Sequence, residues 1–162
     1  MDDAQEMWMV ADEISGAVDR LEQRLNHLIR EGAHAGRNLV NTVADLEALV
    51  AEVQPQYLRL QELLTPRDLS YQSSIRLGQL RERLLWLYRK AQLERLFFAK
   101  LQLERTLRDE VYRKIMETYD EFSELEEREQ AIKALDDEEL AASLQREQAE
   151  HSRSAQGETL EG

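Results

Sequence analysis

The chain contains no cysteine, so neither a disulfide framework nor a thiolate metal site is open to it, and this absence suits a reducing compartment. Proline occurs only twice, glycine six times, and Phe, Trp and Tyr together supply 6% of the residues. Turns draw on the first two and strands on the third, so a fold rich in sheet is disfavoured. Long hydrophobic runs are also missing: no apolar stretch approaches the roughly 20 residues that cross a bilayer. The opening MDDAQEMWMV carries acids where a secretory signal carries basic residues. Together these features predict a soluble intracellular protein with no membrane span, cytoplasmic in preference to nuclear.

Catalytic signatures are equally sparse. The six glycines form neither G-x-G-x-x-G nor a P-loop, there is no G-x-S-x-G, and no serine has an evident base nearby. Carboxylates are abundant, yet no pair is set among apolar neighbours that would raise a pKa. His27, Glu31 and His34 would share one helix face, and Glu31 to His34 is an E-x-x-H spacing of the kind used by di-iron bundles. Such a site needs a second copy of the motif, which the only other histidine, His151, does not supply. Gly32 also weakens the helix that the grouping requires. The expectation is a non-enzymatic protein without metal or cofactor, in which His27 and His34 flank a loop.

What is present is helix. Leu, Glu, Arg, Ala and Gln dominate and 33% of residues are charged, the profile of long helices and coiled coils. Met7, Ala11, Ile14, Val18, Leu21, Leu25 and Leu28 follow in alternating steps of four and three, a heptad seam that predicts a helix over 4–31. Gly32 and Gly36 interrupt it and mark a loop or weak hinge. The seam resumes at Leu39, Val43, Leu46, Val50, Val53, Tyr57, Leu60 and Leu64, predicting a helix over 37–64 that is kinked near Pro55. Thr65 and Pro66 form a boundary, after which Asp68 or Ser70 is able to cap the next helix.

From about residue 69 to 135 no breaker intervenes, and one long central helix is predicted. Between Leu77 and Leu107 it is apolar on nearly every face, and a helix of that kind is contacted from several sides. Leu80, Leu84, Trp86, Leu87, Leu93, Leu96, Phe97, Phe98 and Leu101 are its candidate contacts with a partner helix. Charge is distributed unevenly around it. Residues 76–114 hold 11 basic and 5 acidic side chains, against 6 and 13 in residues 1–75 and 4 and 15 in residues 115–162. The basic rod is expected to meet these acidic flanks or an acidic partner. Nucleic acid is disfavoured, because the formal net charge is −12 and phosphate binding rests on an excess of Lys and Arg. A membrane-surface role is weaker still.

Near the C-terminus, Asp136 and Glu139 make a capping-box-like start, with acids filling the first turn where the helix dipole favours them. The run DDEELAASLQRE over 136–147 resembles the inverted ubiquitin-interacting motif, a single helix with acids ahead of L-A-x-x-L-Q-x-E. That resemblance implies a ubiquitin contact through Glu138, Glu139, Leu140, Ala141, Leu144 and Glu147. It covers only this short segment.

The fold class expected is therefore all-α, an elongated helical hairpin or coiled-coil bundle. Its parts are an N-terminal helical pair over 1–64, a central helix within 65–135, a short acidic-capped helix within 136–150 and a disordered tail over 151–162. Two strict seams plus a rod that is apolar all round exceed what three helices of one chain can bury, which predicts other helical chains as partners, in a hetero-complex or a homodimer. The functional expectation is a structural subunit of an intracellular multiprotein complex, of the scaffold, tether or cytoskeletal kind. The alternative is a ubiquitin-binding adaptor.

Overall fold

A computed structural model describes residues 3–34, 38–65, 69–109, 115–147 and 150, all of whose regular elements are α-helices. They are α1 (Asp3–Gly32), α2 (Leu39–Leu64), α3 (Tyr71–Asp109) and α4 (Ile115–Ala134), followed by α5 over 137–147. Gly36, Pro66, Asp68 and the predicted tail 151–162 lie outside the described residues. The all-α class is as predicted.

Local chemistry accounts for the helix ends. The carboxamide of Asn38 accepts from the Val40 and Asn41 amides at the start of α2, satisfying donors that have no intrahelical partner. Ser70 performs the same service for α3, its Oγ accepting from the Ser73 amide at 3.2 Å. The capping box of α5 is reciprocal: Asp136 Oδ1 accepts from the Glu139 amide at 2.9 Å, and the Asp136 amide donates to Glu139 Oε2 at 3.3 Å. Pro55 lies inside α2, which continues through it. The proline is on the exposed face, so the carbonyl one turn earlier, which loses its amide donor, is on the side of the helix that faces water.

The two heptad seams face each other and α3. Every predicted seam residue of α1 is buried, as are Leu39, Leu46, Val50, Val53, Tyr57 and Leu60 of α2. Ion pairs give the directions. Arg24 pairs with Glu52 at 2.8 Å and Arg59 pairs with Glu13, so α1 and α2 are antiparallel. Asp12 pairs with Arg76 at 3.2 Å and Asp19 with Arg83 at 2.6 Å, so α1 and α3 run parallel. The result is an up-down-up bundle whose single core also takes in Leu140, Ala141 and Leu144 of α5.

The unbroken helix expected over 69–135 is not formed. Lys100 Nζ lies 2.7 Å from Glu129 Oε2, whereas one straight helix would hold those residues about 43 Å apart at 1.5 Å per residue. Instead α4 returns antiparallel along α3, and the connection, 110–114, lies outside the described residues. Folding back gives the thin apolar stripe of α4 a surface to lie on: Phe122, Leu125 and Ile132 become half-buried, and Lys100 stands 5.6 Å from the centre of the Phe122 ring.

Gly32 is both the end of α1, where an interruption was expected, and a point of close contact. It ends α1 in a buried position, and a Cβ there would stand 2.7 Å from Phe98 Cζ and 2.9 Å from Thr42 Cγ2. The ring of Phe98, 2% exposed, rests on the bare backbone that only glycine leaves.

Candidate functional site

The inner surface of α3 accounts for most of its apolar residues. Leu80, Leu84, Leu87, Leu96 and Phe98 are buried within the molecule's own core, while Leu93 and Leu101 are half-buried. They lie in the chain's own interior, which leaves Trp86 and Phe97 as the exposed members of the set expected to contact a partner helix. Three helices alone would leave a large surplus of seam surface, but α5 adds an apolar face to the core and α4 folds back along α3, so the surplus is much smaller than expected.

A residue of that surplus remains on the outer face of α3. Trp86 is 53% exposed, Phe97 51% and Ile75 44%. They are eleven residues apart in each step, which is three helical turns with a drift of about 20°, so they form one nearly straight stripe with half-buried Leu93 beside it. Phe97 is also held edge-on against buried Phe98, ring centres 5.3 Å apart. This face is rigid because the opposite side of the same helix is locked in the core. Trp86 stands in a depression of about 500 Å³ between α3 and α1, lined by Glu22, Asn26, Gln79, Glu82 and Arg83.

The charged residues around the stripe are largely engaged inside the molecule. Arg83 donates to Asp19 at 2.6 Å and to Glu22 at 3.2 Å, hydrogen bonds that, with Asp19 first, raise its already high pKa. Arg76 pairs with Asp12 and stacks over Trp8 at 4.6 Å. Arg95 faces Glu47 at 3.6 Å, and Lys100 faces Glu129. The basic rod thus meets the acidic flanks of its own chain, one of the two outcomes expected. Hydrogen bonds from Lys100 and then Lys133 hold the Glu129 carboxyl below its ordinary value.

The residues of the ubiquitin-motif resemblance divide between two faces. Glu138 and Glu139 are exposed, but Leu140, Ala141 and Leu144 are 1%, 8% and 1% exposed and pack in the core. Glu147 accepts from Gln54 at 3.3 Å and from Gln92 at 3.0 Å, tying α5 to α2 and α3. Beside it, burial pushes the Tyr88 phenol up to about 12, against hydrogen bonds with Gln92 and Ser143 that lower it. A ubiquitin contact through the apolar face of α5 requires that face to leave the core first.

Among the described residues no group of His, Cys, Asp and Glu is arranged to hold a metal ion; His27 and His34 are both exposed. Nor is any helix long and apolar enough to cross a membrane, again among the described residues. The chain matches no family model, no curated protein and no solved structure.

Proposed function

We propose that this protein is a non-enzymatic structural subunit of an intracellular multiprotein complex, of the scaffold or tether kind, which engages a helical chain through the outer face of α3. The observation that supports this reading is the stripe of Ile75, Trp86 and Phe97, three large apolar side chains left in water on a bundle that buries nearly all its other seam residues. Aromatic side chains on a rigid element are the usual anchors of protein interfaces, because their large area is buried at little cost in conformational freedom. The test is recovery of the tagged full-length chain from its own cells, wild type beside Trp86→Lys and Phe97→Lys. The reading expects a helical protein held in fixed ratio by the wild type and lost from both variants; an identical set of proteins on all three overturns it.

Ubiquitin recognition is the second reading, supported only by the exposed acids Glu138 and Glu139 at the start of α5. It expects labelled ubiquitin to shift on titration with wild type and not with Glu138→Ala, a substitution that leaves the Asp136–Glu139 capping box in place. No shift with wild type at millimolar concentration removes it.

A further inference from the structure

We infer that the outer face of α3 pairs with the same face of a second copy of this chain, antiparallel, about a two-fold axis at Trp86. The inference rests on the proposal that this face is the interaction surface, and it names the occupant.

The spacing carries the argument. Ile75 stands eleven residues before Trp86 and Phe97 eleven after it, so the stripe reads the same in both directions from its centre. A two-fold axis across α3 at Trp86 sets the two Trp86 rings together and places each Ile75 against Phe97 of the second copy. All three exposed anchors then find apolar partners in an isologous contact, in which one patch complements itself. A parallel pairing would instead match Ile75 to Ile75 and Phe97 to Phe97, which the stripe's symmetry does not require.

Charge agrees with that placement. Arg83 and Lys90 are seven residues apart and therefore lie on the same flank of the stripe. An antiparallel two-fold axis keeps flanks together, and Arg83 is three residues before Trp86 while Lys90 is four after it. Lys90 consequently comes opposite Arg83 of the second copy, where two carboxylates, Asp19 and Glu22, surround one guanidinium. That cluster carries one excess negative charge, and Lys90, paired with Glu94 at 2.8 Å on its own helix, keeps 41% of its side chain in water, so meeting the cluster costs it only an exposed i,i+4 pair. From Ile75 to Phe97 the stripe runs about 33 Å, a narrow strip that falls below the roughly 800 Å² per partner of stable complexes. The pairing is therefore a reversible one.

Two measurements on the full chain test it. Sedimentation from micromolar to millimolar concentration should show a monomer–dimer equilibrium that Trp86→Lys abolishes, with helical content and melting temperature unchanged because the side chain is half in water. Since the chain has no cysteine, single-cysteine variants report orientation without background. Gln79 and Leu93 lie seven residues before and after Trp86, so under mild oxidation Gln79→Cys should link to Leu93→Cys in a mixture severalfold faster than either links to itself. A wild type that stays monomeric throughout, a Trp86→Lys variant that still dimerises, or faster self-linking of each cysteine variant overturns the inference. A monomeric wild type removes the second copy alone, since a different chain recovered from cells through Trp86 would still uphold the proposed function. Conversely, a dimer that recovers no other protein upholds the pairing and removes membership of a larger complex.

Discussion

At the scale of single residues, the core is built around one close approach. Phe98 is 2% exposed and lies over Gly32, so a methyl group added there meets the ring at 2.7 Å and the Thr42 methyl at 2.9 Å. Alanine ordinarily favours a helix over glycine by up to about 1 kcal/mol, but overpacking a filled core costs about 1–3 kcal/mol. Gly32→Ala is therefore expected to lower stability in chemical denaturation despite the better helix former. The double variant Gly32→Ala with Phe98→Leu should lose less than the two single losses together, which a double-mutant cycle reads directly. Tyr88 gives a second test. Its phenol, raised to about 12 from 10, contributes stability that is complete below pH 10 and is lost as the pH climbs towards 12. Tyr88→Phe should show a shallower loss of stability across that interval than the wild type, measured as denaturation midpoints at successive pH values.

At the scale of elements, α5 shows why a helix can be read correctly and misplaced. Its acidic cap, capping box and apolar spacing were all legible, and the structure forms that box with Asp136 and Glu139 as expected. Where its apolar face goes was not legible, because Leu140, Ala141 and Leu144 join a core built from residues far away in sequence. A terminal helix lying free on the surface would tolerate Leu144→Ala almost without cost. Here Leu144 is 1% exposed, and its truncation is expected to cost about 2–5 kcal/mol, checked by thermal or urea unfolding of the full chain. The same limit explains α4. The apolar positions Phe122, Leu125 and Ile132 are sparse in the sequence, but the charge pairing that brings Glu129 onto Lys100 joins residues whose separation along the chain gives no periodic signal. The seams of α1 and α2 were legible in nearly every position, since a heptad pattern records local burial directly. The partner across the seam is a non-local fact, and so the stripe on α3 could be separated from the core only once α5 and α4 were in place.

At the scale of the whole molecule, burial is graded rather than uniform. Helices α1, α2 and α3 share one core with α5, whereas Thr118 is the one buried side chain among those described in α4, and Phe122, Leu125 and Ile132 are only half-buried. Elements with little buried apolar surface open locally at a free energy below that of global unfolding. The amides of α4 should accordingly exchange with solvent deuterium faster than those in the middle of α2 and α3. Acid should widen the gap. Glu129, hydrogen-bonded to Lys100 at 2.7 Å and Lys133 at 2.9 Å, has a carboxyl pKa lowered from 4.5, so the stabilisation it supplies is complete above pH 4.5 and lost as pH falls through the lowered value. Between neutral pH and pH 3, exchange in α4, corrected for the intrinsic acid dependence of amide rates, is therefore expected to accelerate more than in α2. Glu129→Gln should reproduce part of that acceleration at neutral pH. Equal protection of α4 and α2, unchanged by acid or by the substitution, would mean that α4 belongs to the same cooperative unit as the core and that its contacts with α3 are stronger than its burial indicates.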